Sequence, residues 1–194
     1  MTNDLKIQLI NEHIFYIDKN EYEQKTQLKI NVNKIFRMPH IMSTLCEYIS
    51  AYIEQKNIDF NTIIPLSKAA IPFASDIAIT NNKMMNLLGD SHIPIGLIEP
   101  DEKVLLFIDI INYEIIEKVC ARLNKYGAQI VGIILLFNQD IGEIIRFNNI
   151  YNIITINDIA DISLNKGFIS YFEYEKYQFY SAYMNKLEFN KKKI

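Results

Sequence analysis

Hydrophobic positions recur along this chain with two periods, and the change from one to the other marks the elements. Residues 1–35 alternate weakly. Within them 13–18 (HIFYID) and 27–32 (QLKINV) read as short strands, separated by the charged stretch from Lys19 to Lys25. Pro39 stands where a helix can begin, since proline is tolerated in a first turn. From there Ile41, Leu45, Ile49, Tyr52 and Ile53 recur at helical spacing as far as Lys56-Asn57. Residues 61–66 (NTIIPL) form an apolar run of strand length. A turn at Ser67-Lys68-Ala69-Ala70 comes next, and Pro72 opens a helix through Ile79. Residues 80–100 are polar and irregular, broken by Gly89, Pro94, Gly96 and Pro100.

The centre carries the clearest pattern. Residues 104–109 (VLLFID) are a continuous apolar run ending in an acid. Ile115, Ile116, Val119, Leu123 and Tyr126 then mark one helix face, with Gly127 placed as the residue that ends it. Residues 130–137 are the next apolar strand. Strand, helix and strand in so short a span form a βαβ unit, and strands apolar on both faces belong to a parallel sheet covered by helices. Residues 152–156 (NIITI) read as another strand, after which Asn157 or Asp158 caps a helical turn. Residues 168–190 are rich in aromatics and read as a C-terminal helix packed on the body. No repeat or linker interrupts the chain, so the 194 residues read as one domain: residues 1–35 form a small N-terminal region, and 168–194 an aromatic helix with a basic tail.

Composition narrows the function classes. With 49% hydrophobic and 22% charged residues and a net charge of −3, the chain has the makeup of a folded protein. Twenty basic against 23 acidic residues leave no footprint for nucleic acid. The basic run Lys191-Lys192-Lys193 reads as a solvated tail. Cys46 and Cys120 form no CxxC pair and His13, His40 and His92 are scattered, so no zinc site is expected, and the thiols read as buried in a reducing compartment. The first ten residues carry Asp4 and no long apolar core, and the longest apolar run is eight residues. A cytoplasmic protein without a membrane partner is expected. Isoleucine (37), asparagine (20) and lysine (17) are abundant and arginine (3) is scarce, as coding drift in an A+T-rich genome would produce. The chain has only 6 glycines, the residue a phosphate-binding loop usually needs.

Candidate chemistry sits where the strands end, because ligands of open parallel sheets bind outside their carboxyl ends. At the first end, residues 65–72 form a strand–turn–helix junction whose N–H groups, with Ser67 and Lys68, can hold an anion; a plain turn is the simpler account. At the second, Asp109 can accept from hydroxyl groups or hold a metal; a turn and a helix cap are the simpler account.

The order of these pieces resembles the type I phosphoribosyltransferases, most closely the orotate phosphoribosyltransferases, over roughly residues 14–160. Residues 26–50 (TQLKINVNKIFRMPHIMSTLCEYIS) are similar to that family's N-terminal strand and first long helix. Residues 62–78 (TIIPLSKAAIPFASDIA) resemble its strand, pyrophosphate loop and helix. Residues 103–143 are similar to its phosphoribosyl-diphosphate (PRPP) motif with the adjoining helix and strand, and 152–159 (NIITINDI) to a stretch near its C-terminus. The resemblance implies an α/β fold with a central, mostly parallel sheet, helices on both faces and a small N-terminal hood. It also implies a homodimer.

Within that resemblance the site is altered. The family's adjacent acids, which meet the ribose hydroxyls, are here Ile108-Asp109, leaving Asp109 as the ribose or metal contact. Its hydroxyl–glycine stretch, which wraps the 5′-phosphate, is here Asn112-Tyr113-Glu114-Ile115. Tyr113 adds bulk and Glu114 a negative charge, whose repulsion of a phosphate at about 4 Å is of order several kcal/mol. The pyrophosphate-loop position is Ser67-Lys68-Ala69, without glycine. The family's basic catalytic loop is absent: between Met84 and Val104, Lys103 is the sole Lys or Arg. The expected function is therefore a non-catalytic or repurposed relative that binds a nucleotide or PRPP-like small molecule, or a protein. The alternative is an active enzyme that moves phosphoribose from PRPP to a base such as orotate with Mg²⁺. Asp109 would then meet the ribose or its metal, Asn112 the 5′-phosphate, and Ser67-Lys68 the pyrophosphate.

Overall fold

A computed structural model of the chain describes residues 3–20, 25–89, 92–138 and 149–179. The elements in chain order begin with α1 (Asn3–Asn11), β1 (Phe15–Asn20), β2 (Lys25–Ile30), α2 (Val32–Ile35) and α3 (Pro39–Gln55). Next come β3 (Thr62–Pro65), α4 (Ile71–Thr80), β4 (Met84–Met85), β5 (Leu87–Leu88) and β6 (Pro94–Ile95). The last are β7 (Lys103–Ile110), α5 (Tyr113–Lys125), β8 (Gln129–Asn138), β9 (Ile150–Thr155) and α6 (Ile156–Asn165). They divide into two compact units. One is Met1–Ile41 with Asn138–Arg146 and Ile154–Ile194; the other is Met42–Phe137 with Phe147–Ile153.

The second unit holds the sheet, in the order β4-β3-β7-β8-β9. Pairs β3–β4, β3–β7 and β7–β8 are parallel, as the βαβ pattern predicts. Val104 to Phe107 on β7 and Ile134, Leu136 and Phe137 on β8 are fully buried, so both faces are covered. Phe73 of α4 stacks on Phe107 at 6.0 Å. Helix α5 buries Ile116, Val119 and Leu123, the expected face, and Gly127 ends it with φ +78°. Tyr126, placed on that face by spacing, is exposed at the C-cap position, one residue past the last helical one. Gly132 of β8 is kept for contact: a Cβ there would lie 2.5 Å from the Tyr151 ring. At the amino ends of β3 and β7, Thr62 Oγ1 donates to the buried carboxylate of Glu102, whose other oxygen accepts Glu99 N at 2.8 Å.

Four expectations change. The weakly alternating N-terminus contains α1, whose Leu5, Leu9 and Ile10 are buried, and its Lys6 pairs with Asp158 of α6 at 2.7 Å. Nine residues with one buried stripe are too short to stand without such contacts, so periodicity alone does not reveal the helix. The two N-terminal strands pair from Phe15↔Ile30 to Asn20↔Lys25, shifted by two residues from the expected spans, and residues 32–35 are helical. The irregular stretch 80–100 contains β4, added to the edge of the main sheet, and the ribbon β5–β6. The cap after β9 is Thr155, whose Oγ1 accepts Asp158 N at 3.1 Å, and the helix it starts, α6, runs for 10 residues rather than a single turn.

In the first unit, residues 171–179 are helical. Ser170 and Glu173 form a reciprocal capping box at its start. Tyr174 Oη donates to Asp161 and Tyr177 Oη to Asn157, holding one face on α6. Phe168, Tyr171, Phe172 and Phe179 stay exposed. The remaining C-terminal aromatics and the run Lys191-Lys192-Lys193 lie outside the described residues. Among those residues, no helix is long and apolar enough to cross a membrane.

Candidate functional site

The two loops singled out by sequence meet because β3 and β7 are neighbours in register. Pro65 pairs with Phe107, and Leu66 N donates to Phe107 O at 2.8 Å. The turns at the two carboxyl ends are therefore side by side. Ser67 Oγ donates to Asp109 Oδ1 at 2.6 Å and accepts Ala70 N at 3.0 Å. Ser67 thus closes its own turn and holds Asp109 in place. Among the described residues Asp109 Oδ2 has no partner, and both side chains are half-buried. Lys68 is exposed and Ala69 half-buried, so the pyrophosphate-loop position offers one exposed cation and no reactive group at Ala69.

Asn112 is the N-cap of α5. Its Oδ1 accepts Ile115 N at 3.2 Å and its backbone carbonyl accepts Ile116 N at 3.1 Å. Of the N–H groups that a helix start can offer to an anion, one, that of Ile115, therefore ends on the Asn112 side chain; the Ile116 bond is the first ordinary turn of the helix. Tyr113 stands at the first helical position, with its hydroxyl oxygen shielded from solvent. Glu114 puts a carboxylate in the first turn, where it favours the helix dipole, and Lys118 one turn on donates to it at 2.5 Å. That hydrogen bond and the charge of Lys118 hold the Glu114 carboxyl below its usual range, and His92 adds to the effect.

The two loops that sequence singles out do lie side by side, but three of the contacts around them are not read from it. Ser67 reads as an anion ligand, whereas its hydroxyl is spent on Asp109. Lys118 does not stand out, although Glu114-x-x-x-Lys118 is a standard helical pair. His92 carries no local signal at all; it reaches the neighbourhood of Glu114 through the chain reversal at β5–β6. Cys46 is buried, as expected, whereas Cys120 is half-buried; burial pushes the Cys46 thiol up to about 12, aided by Asp76, and the Cys120 thiol up to about 11. Among the described residues no group of three or more His, Cys, Asp or Glu side chains could hold a metal ion. The arrangement can accept hydrogen bonds at Asp109 and offer one ammonium at Lys68.

No protein-family model matches the chain, and no curated protein matches it by sequence. Solved structures do match. The UMP synthase of Leishmania donovani superposes with a TM-score of 0.75 at 16% identity, over 92% of this chain and 42% of that one. This chain thus spans less than half of that protein's length. The orotate phosphoribosyltransferase of Francisella tularensis matches with a TM-score of 0.69 at 16% identity, over 89% of this chain and 94% of that one. That of Aeropyrum pernix matches at 0.67 and 12% identity, over 86% and 99%. With its parallel five-stranded sheet flanked by helices, this chain has the type I phosphoribosyltransferase fold in an orotate phosphoribosyltransferase-like form.

Proposed function

We propose that this is an orotate phosphoribosyltransferase-like protein whose strand-end site no longer transfers phosphoribose and has been repurposed for binding a small ligand or a protein. The self-capped start of α5 carries this conclusion. The turn at 112–115, which by resemblance would wrap a 5′-phosphate, spends the Ile115 N–H group on the Asn112 side chain and holds its own anion, Glu114, against Lys118. A phosphate brought there meets a carboxylate and finds one of the helix-start donors taken. For the charge of a departing pyrophosphate the sequence supplies Lys68, but no second cation from residues 84–102. Lys103 pairs with Asp59 at 2.6 Å, at the amino end of β7 and so about 20 Å along the strand from Asp109. Cytoplasmic location and a homodimer belong to the same proposal.

Calorimetric titration with PRPP and Mg²⁺ tests it. No site tighter than millimolar is expected, and no orotidylate should form above background. A micromolar site that disappears in Asp109→Ala overturns the proposal, and turnover of orotate ends it.

One observation favours a second reading, an active phosphoribosyltransferase of pyrimidine metabolism. The Ser67–Asp109 contact keeps both loops in place, with Lys68 beside them and Asp109 Oδ2 open. Mg²⁺ commonly takes few protein carboxylates when substrate phosphates supply its other ligands, so a single Asp109 fits such an ion. Asp109 would then position the ribose, Asn112 Nδ2 would approach the 5′-phosphate, and Ser67-Lys68 the pyrophosphate.

A further inference from the structure

One face of the helix at residues 171–179 is held within its own unit. Tyr177 packs with Ile156 and Ala160 and donates to Asn157 at 2.9 Å, and Tyr174 donates to Asp161 at 2.7 Å. With about 100° of turn per residue, Phe172 and Phe179 point directly away from that anchored face, two turns and about 10 Å apart. They are 64% and 76% exposed. Tyr171 stands beside them and Phe168 just before the helix, both exposed. Glu175 and Lys176 take the two flanks of the stripe, and Lys176 Nζ lies over the Phe172 ring at 4.4 Å. Rings left in water along one short segment contribute nothing to the fold, and a contiguous apolar patch of this kind marks a contact surface.

The distribution of charge along the chain says what such a face suits. Residues 180–194 hold four lysines, Lys186 and the run Lys191-Lys192-Lys193, against the single acid Glu188. Residues 1–179 hold 16 basic against 22 acidic side chains. Positive charge is therefore concentrated directly after the aromatic helix, on an otherwise acidic protein. An exposed aromatic helix face joined to a lysine cluster complements an anionic lipid surface: the rings enter the headgroup boundary and the ammonium groups meet the lipid phosphates. Either signal alone gives weak, reversible attachment, and the two together are what stable attachment takes. The acidic remainder is repelled by the same surface, which confines the contact to this end of the chain.

We infer that the aromatic face of residues 168–179, assisted by the lysines that follow it, is a peripheral attachment surface for anionic lipid. It is independent of the strand-end site, and it replaces the expectation of a solvated lysine tail without a membrane partner. Co-sedimentation of the full chain with vesicles tests it, using phosphatidylcholine alone and an equal mixture with phosphatidylserine. The unaltered protein should bind the mixture roughly 10-fold or more tightly than phosphatidylcholine alone, and about 0.5 M salt should remove most of that preference. Phe172→Ser with Phe179→Ser should weaken binding to the mixture roughly 10-fold or more. Replacing Lys191, Lys192 and Lys193 by Gln should abolish the preference for the anionic mixture. The chain has no tryptophan, so one introduced indole reports on its own position. Emission from the conservative variant Phe179→Trp should shift to the blue on adding mixed vesicles, which guards against a misfolded double-serine variant. Emission from Ile79→Trp, at a 79% exposed position of α4, should not shift.

Failure of the unaltered protein to bind the mixed vesicles overturns the inference, as does equal binding to both kinds of vesicle. Undiminished binding in the double-serine variant, or Phe179→Trp emission that stays unshifted, overturns the aromatic face as the contact. An anionic preference that survives replacement of the three lysines overturns their part in it. Equal shifts at positions 79 and 179 report non-specific adsorption and also overturn it. A protein that shifts the Phe179→Trp emission where vesicles do not assigns the face to a protein contact instead.

Discussion

Ser67 Oγ donates a 2.6 Å hydrogen bond to Asp109 Oδ1, joining residues 42 positions apart at the carboxyl ends of two neighbouring parallel strands. A hydroxyl bonded to a half-buried carboxylate is worth more than a neutral pair, because the acceptor is charged. The contact does two things at once: it clamps the turn after β3, and it withdraws one oxygen of Asp109 from any ligand.

Replacing Ser67 by Ala should lower the unfolding free energy by about 1.5–3 kcal/mol, the range for hydrogen bonds to charged groups. Urea denaturation followed by circular dichroism measures this. An unchanged midpoint would show that the clamp contributes nothing in solution.

Asn112→Ala removes the side-chain cap of α5 and should cost about 1 kcal/mol of stability. If the site is non-catalytic, the variant and the unaltered protein should show the same negligible PRPP affinity. A loss of measurable PRPP binding in the variant would instead support the active reading, in which Asn112 meets the phosphate.

Gly132→Ala should destabilise by about 1–3 kcal/mol, because the new Cβ would sit 2.5 Å from the Tyr151 ring and 3.1 Å from Asn149 O. Tyr151 also makes an edge contact with Tyr52 at 6.3 Å, so the strain spreads to α3. Trimming the ring with Tyr151→Leu should recover part of the loss. Thermal melts of the two single variants and the double variant would expose any lack of coupling.

Cys46 and Cys120 titrate at about 12 and about 11 in the folded protein, against an ordinary value of 9.0. Above pH 9 the unfolded chain therefore gives up these protons first. Stability is unaffected by them below that point and falls as pH rises from 9 towards 11–12. Replacing both by Ala should flatten the alkaline limb of the stability curve. At roughly pH 8, where few thiols of either state are ionised but burial shields the native ones, a thiol reagent should label the native protein far more slowly than the unfolded one.

The parts of this fold that could be read in advance are those where local pattern and burial coincide. The run from Lys103 to Asn138 is apolar on both strand faces with an amphipathic helix between, and every piece lies within a residue or two of its expected place. The start of the helix at 171–179 is equally legible, since Ser170-x-x-Glu173 is a capping box, but the aromatic richness of the whole segment masks that boundary. Helix α1 is not legible. Its two leucines one turn apart gain meaning from burial and from Lys6 meeting Asp158.

The candidate site divides along the same line. Residue identity alone says that Asp109 follows Ile108, that the two loops hold no glycine and that Glu114 brings a negative charge; that an acid is missing from the first of these comes from the family resemblance. Which donors and acceptors remain open is a matter of distance between segments far apart in sequence. That Ser67 takes Asp109, that Asn112 turns back on its own helix, that Glu114 closes on Lys118 and that the ribbon at 87–95 faces outward are consequences of strand register and helix geometry. A hydrogen bond needs its partners within about 3 Å, and no linear pattern specifies that for residues 42 positions apart.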